Sequence, residues 1–453
     1  MAKGVITILG TIGVPRDGQE KAKYYLSDDL KSRFSLKKDK YTNMLPLLIE
    51  NFKDSYGNIE VVYTRDAKKI QEEVLQFEEI EFNIEQSGTF ISNIDGEAEA
   101  TYPYFLEQFD AIVEKYDKVI IDVSHGFRHL PILATVNMII QNIKDPKKIE
   151  YIFFAKEIKK FTEYEVIDLK EYLDLANLSF LLSTFNQNYT VSSSIRFKNP
   201  LYKEISKELS EFSNHFLSNS LKSLIEGNLI SDIVDNLNTL KKKKSIQNFN
   251  VYIDDIISHL NEIKELKDKK EWEKLYELSK IMDKRGYQLN AITLLFEALG
   301  FYCLESLFYI ESFGDRVKEY YSYIEEKRKP EHIYSTYTMT NQTRTLVKIL
   351  DRFRVSDERL FINNDRLKNL VIDYLEDVDK IHKFSKFIQD LEAVRNNLAH
   401  GNSSNSIDDV KKVYQSLLSR FKDFCIDKDI FSTAKSFKRK SSVERLEQKF
   451  SKR

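Results

Sequence analysis

Arg395 and His400 stand five positions apart near the end of an apolar segment with helical spacing, with Asn396 directly after the arginine and Gly401 directly after the histidine. A guanidinium is a permanent planar cation that matches phosphate oxygens. An imidazole moves protons near neutral pH. Together they suit phosphodiester cleavage in RNA: a ribose 2′-OH attacks the adjacent phosphorus, the arginine stabilises the developing charge, and the histidine transfers protons. On an ideal helix, positions i and i+5 lie about 140° apart. The pair therefore converges only if the helix loosens near His400 or if a second copy of the motif faces the first. Gly401 suits the residue that ends a helix. R-x-x-x-x-H is a loose pattern. On spacing alone, an arginine bound to a carboxylate and a histidine finishing a helix is the better account.

A second dense stretch runs from Asp122 to Pro131. Ser124, His125, Gly126, Phe127, Arg128 and His129 follow directly on an apolar run. Helix-start amides, Arg128 and His125 could hold phosphates, and Phe127 could pack on a base. The structural alternative has Ser124 as a cap, Gly126 as a turn and Arg128 on the surface. Six polar, small or aromatic residues at one strand end favour binding. Two shorter stretches are weaker. Gly10-Thr11-Ile12-Gly13 could let a backbone approach a phosphate, but it lacks the third glycine of a dinucleotide fingerprint. Thr64-Arg65 offers a hydroxyl and a cation, although Thr64 could simply cap the next helix.

The elements that must position these residues fall into two kinds. Eight of the 13 glycines and five of the seven prolines lie before residue 150, which marks a turn-rich first part and a helical remainder. Val5 to Leu9, Ile59 to Thr64, Ile80 to Ile84, Lys118 to Val123, Ile149 to Ala155 and Phe161 to Asp168 read as strands, the last two as a hairpin. Tyr41 to Phe52, Tyr104 to Tyr116 and His129 to Ile143 read as helices between them. That alternation predicts a mainly parallel, doubly wound sheet, which binds ligands beyond the carboxyl ends of its strands. Tyr287 to Ile310, Asn341 to Phe353, Leu367 to Asp373, Lys380 to Leu398 and Ile407 to Cys425 predict a helical bundle. Ile292 to Ile310 is apolar enough to suggest a membrane, but Glu297 and Glu305 interrupt it, and a buried bundle helix is expected. Lys327 to Thr340 reads as a loop whose His332, Tyr334 and Tyr337 are scattered surface residues or base-stacking groups.

With 453 residues, the chain is long enough for two or three domains. Its net charge of −2 argues against a long duplex held on a broad basic face. Lys241 to Lys244 is read as a solvated helix end, and the basic tail from Lys435 onward as an RNA contact or a frayed end. Cys303 and Cys425 are the two cysteines, so no disulfide framework is expected, which fits a reducing cytoplasm. The N-terminus reads as a first strand rather than a signal peptide.

The string Arg395-Asn396, Ala399-His400-Gly401 resembles the signature of HEPN ribonuclease domains. The resemblance implies a composite site built from two motifs across a dimer and working without a metal, with Arg395, Asn396 and His400 as catalytic residues. Asp122 to Pro131, with Ile8-Leu9-Gly10-Thr11 and Tyr63 to Ala67, looks like the CARF domains of CRISPR-associated accessory proteins. That resemblance covers residues 1–170. It implies a Rossmann-like dimer that binds cyclic oligoadenylate through Gly10, Thr11, Ile12, Gly13, Thr64, Arg65, Ser124, His125, Gly126, Phe127 and Arg128. Gly96, in the loop Asn93 to Glu97, occupies the position of a further family loop.

The expected fold is α/β plus all-α, divided into a CARF-like ligand-sensing domain (1–170), a helical connector (171–285), a HEPN-like bundle (286–430) and a basic tail (431–453). The expected activity is that of a cyclic-oligoadenylate-activated, metal-independent endoribonuclease of the type III CRISPR response. Cyclic tetra-adenylate is the preferred activator, single-stranded RNA the substrate, and a homodimer or higher homo-oligomer the assembly, with no membrane. The alternatives are a non-catalytic nucleotide-sensing DNA regulator, or an added slow cleavage of the cyclic ligand that uses Thr11, Ser124 and His125.

Overall fold

The computed structural model describes residues 2–16, 19–91, 98–126, 129–191, 195, 197, 199–310, 314–326, 335–349, 374–375, 378–401 and 404–432. The chain divides into two compact units: residues 1–213 with 231–256, and residues 214–230 with 257–453. The helices of 171–285 are shared between the two.

The first unit is built on one eight-stranded sheet. Along the chain its strands are β1 (Lys3–Ile8), β2 (Ala22–Leu26), β3 (Lys40–Tyr41), β4 (Asn58–Tyr63), β5 (Gly88–Phe90), β6 (Lys118–Asp122), β7 (Ile149–Lys159) and β8 (Glu163–Asp168). They lie side by side in the order β3-β2-β8-β7-β6-β1-β4-β5. From β7 to β5 every neighbour is parallel. β8 returns antiparallel to β7, as the expected hairpin. The chain crosses from β1 to β4 on one side and later to β6 on the other. The order therefore reverses between β1 and β6, where an open α/β sheet leaves a crevice beyond its strand ends.

Side chains alternate across the sheet, as the pleat demands. Val5, Ile59, Val61 and Ile120 bury on one face with α1 (Asp28–Lys31), α2 (Met44–Tyr56) and α3 (Arg65–Phe77). Ile6, Ile8, Val62, Val119 and Ile121 bury on the other with α4 (Ala98–Glu114) and α5 (His129–Lys144). Being covered twice explains why Lys118 to Val123 reads as a continuous apolar run.

Three expectations need correction. Ile80 to Ile84 is not a strand. Ile84 enters the core from a turn, and β5 follows it. β2 and β3 were not anticipated. β2 takes its place by pairing with β8, which is remote in sequence. From Ser335 onward the expected loop of Lys327 to Thr340 is helical. His332, Tyr334, the segment Leu367 to Asp373 and the basic tail lie outside the described residues.

The helices continue with α6 (Lys170–Asn188), α7 (Pro200–Leu217), α8 (Leu221–Glu226), α9 (Leu229–Lys241) and α10 (Asn250–Lys264), the first of which adds Leu173 to the sheet's second core. In the second unit, α11 (Glu271–Lys284), α13 (Gly314–Glu326), α14 (Ser335–Ile349), α15 (Ile381–Ala399) and α16 (Ile407–Phe421) surround α12 (Gln288–Phe308). α12 is long and apolar enough to cross a membrane, yet 67% of its most apolar window is buried inside the fold. Its apolarity is that of a core helix. On α15, Phe384, Phe387, Ile388 and Leu391 are buried at helical spacing. Arg420 on α16 donates to Asp390 on α15 at 2.8 Å and lies over Phe387, tying the two helices together.

Candidate active site and ligand crevice

In the first unit, the crevice beyond β1 and β6 is held by close backbone packing. A Cβ on Gly10 would come within 2.7 Å of the Gly126 nitrogen and 2.9 Å of the His125 Cβ. Gly126 has φ of +117°, and a Cβ there would meet Ile8 at 2.8 Å. Only glycine adopts that backbone freely. The two strand-end loops thus touch through residues that have no side chain to intervene.

Beneath the loops, Asp122 is fully buried. It accepts from the Thr7 hydroxyl at 2.7 Å, the Ser124 hydroxyl at 2.5 Å and the Ser124 amide at 3.1 Å. The Ser124 hydroxyl in turn accepts from the Ala155 amide at 2.7 Å. Ser124 therefore fastens β6 to β7, and its hydroxyl is directed inward. Burial holds the Asp122 carboxyl above the usual carboxylate range and the His125 imidazole below its own, although each pulls the other toward the charged form. A neutral His125 offers hydrogen bonding rather than charge to a ligand. Its Nε2 is closed to solvent and has no hydrogen-bond partner among the described residues.

Thr11 and Ile12 are exposed at the crevice. Their loop is pinned from below by two buried amides. Gln71 donates to the carbonyls of Gly10 and Ile12 at 2.9 and 3.1 Å, and Asn43 donates to that of Ile12 at 2.8 Å. Gly13 packs beside Ile70. Thr64 accepts from the Ala67 amide at 3.3 Å, which makes it the N-cap of α3. Arg65, the first residue of that helix, is exposed. The structure thus brings Gly10 to Gly13 together with His125 and Gly126, and places Thr64 and Arg65 at the neighbouring strand end. Gly96, Phe127 and Arg128 lie outside the described residues. Asn43 and Gln71 gave no sequence signal, because a buried amide resembles any helical polar residue until its partners are known.

In the second unit, α15 stays helical to its end. The His400 amide donates to the Asn396 carbonyl at 3.0 Å, and Gly401 follows with φ of +66° as the terminating residue. The helix does not loosen before His400, so the two side chains leave it about 140° apart. Arg395 is half-buried and His400 exposed. The Arg395 guanidinium donates to the Asn396 Oδ1 at 2.9 Å and lies 5.7 Å from the Phe296 ring. The same ring carries a second guanidinium, Arg344, at 3.8 Å.

Arg344 is fully buried and donates to the Phe296 carbonyl at 2.8 Å, with Glu297 at 3.4 Å. It fits only because Gly300 lies one turn along. A Cβ there would stand 2.4 Å from Nη1. Phe296, Gly300 and Arg344 therefore set where Arg395 rests, and the sequence reading missed all three. A Gly in an apolar helix beside a distant Arg was the available signal. Chemically, each chain presents one phosphate-binding cation oriented by an amide, and one exposed proton carrier, pointing to different sides.

No protein-family model matches the chain, and no curated protein does. Among solved structures, the chain is similar to Csm6 of Enterococcus italicus, in the form bound to cyclic hexa-2′-fluoro-hexa-dAMP. The likeness covers 98% of this chain and 99% of that one, at 13% identity and a TM-score of 0.32. At that level of superposition, the site chemistry has to be read from this chain's own residues.

Proposed function

We propose that the protein is a cyclic-oligoadenylate-activated endoribonuclease of the type III CRISPR response. It cuts single-stranded RNA at a site made by two copies of the Arg395–His400 motif, and it needs no metal. The observation that carries this reading is the helical hydrogen bond at His400. It leaves one chain with half of a site, since the cation and the proton carrier diverge. A second copy supplies the opposing pair, with the scissile phosphate between them. Arg395, oriented by Asn396, stabilises the charge on phosphorus, and His400 transfers the proton. The activator lies in the crevice at Gly10 to Gly13, His125 and Gly126, with cyclic tetra-adenylate as the favoured ring. It acts by binding the cutting arrangement of the dimer more tightly than the resting one.

His400→Ala tests this. RNA cleavage in the presence of activator should fall by about 10²-fold or more, while binding of labelled cyclic tetra-adenylate is retained. Cleavage at the wild-type rate removes His400 from the mechanism. Repeating the assay with a chelator tests the metal independence.

A further inference from the structure

A small cavity of about 170 Å³ lies between α15 and α16. Its floor is apolar (Leu398, Val410 and Val413), and its rim carries Asn397, Ser404 and Asn405. No charged side chain lines it. Asn397 and Asn405 are exposed, whereas Val410 is buried at 5% exposure. An apolar floor with a few neutral donors and acceptors at the mouth suits a flat, uncharged heteroaromatic ring rather than a phosphate. The wall formed by Asn397 and Leu398 belongs to the same last turn of α15 that carries Asn396 and His400. Unpaired RNA bases are read in this way, splayed out and hydrogen-bonded on their edges.

We propose that this cavity receives one unpaired nucleobase flanking the scissile linkage, and that the amides of Asn397 and Asn405 read its edge. This rests on the RNA-cleaving reading of Arg395 and His400, and adds to it a specificity subsite. A site built to hydrogen-bond one base edge discriminates against bases that leave its amides unpaired.

The test is cleavage of an RNA pool randomised around a single cut, with the ends sequenced, by the activated wild type, Asn397→Ala, Asn405→Ala and Val413→Phe. The last variant fills the cavity floor, and circular dichroism checks that each variant is folded. The wild type should prefer one base at a fixed position beside the cut by about fivefold or more. Each variant should flatten that preference at least about threefold. Binding gives a second readout. In His400→Ala, 2-aminopurine placed at that position of an uncut RNA should change its emission, and adding Asn405→Ala should remove the change. Variants that keep the wild-type preference, or a wild type that cuts RNA with no preference beside the cut, overturn the subsite and leave the nuclease reading intact. A wild type that cuts no RNA with any activator overturns both.

Discussion

At the scale of single residues, the two glycines that matter most do so through what they leave out. Gly126 combines a left-handed φ with contact on Ile8. Gly126→Ala should therefore cost about 1–3 kcal/mol of stability and weaken activator binding, as read by urea unfolding and by titration with labelled ligand. Unchanged values in both would separate this turn from the crevice. Gly300 makes room for the Arg344 guanidinium. Gly300→Ala should displace Arg344 from the Phe296 ring, at a cost on the order of 1–3 kcal/mol. It should also lower the RNA cleavage rate without changing activator binding. Wild-type stability and rate in that variant would contradict the description of Phe296 as the seat of Arg395.

How much of this was legible depended on whether a residue's role is local. Gly401 as a helix terminator and Gly10 as a close-approach residue announce themselves, because backbone geometry is a local property. Thr64 was open to a binding or a capping role, and its hydroxyl caps α3. Ser124 read as a ligand group, yet its hydroxyl serves Asp122 and Ala155. Nothing local distinguishes a hydroxyl that faces solvent from one that faces a buried carboxylate. Arg344 lies 51 positions before Arg395 in the chain, and their shared ring is visible only once α12 lies between them.

At the scale of elements, the parallel sheet was readable because long buried strands leave unbroken apolar runs. β2 and β3 were not, because a short edge pair is defined by its partners rather than by its own pattern. α12 shows the same principle in reverse, since its apolarity fitted both a membrane and a core. It also carries an acid at an awkward place. Burial lifts the Glu305 carboxyl to about 7, against the donating Trp272 amide and the nearby Lys270. With its folded pKa raised, Glu305 favours the fold only while protonated. The stability it provides is complete below the ordinary carboxylate range and is lost as pH rises toward 7. Glu305→Gln should therefore raise the unfolding temperature over wild type at pH 8 by a few degrees, reflecting on the order of 2–3 kcal/mol at most. It should change little at pH 4.5. An equal effect at both pH values would show that the carboxyl is not the titrating group.

At the scale of the whole molecule, a near-neutral chain with a sensing crevice and half an RNA-cutting site calls for a partner of its own kind. The full chain should sediment as a dimer or a larger even assembly. Activator should raise cleavage without inducing a shift of duplex DNA in a gel; a ligand-dependent DNA shift with no RNA cleavage would instead favour a non-catalytic regulator. The most direct measurement follows a fluorescent single-stranded RNA in chelator, with wild type and His400→Ala side by side, with and without cyclic tetra-adenylate. The wild type should cut about 10²-fold faster with the ligand than without it, and the variant should stay at background while still binding the ligand. A variant that cuts as fast as the wild type would contradict the central claim that paired Arg395 and His400 side chains do the chemistry.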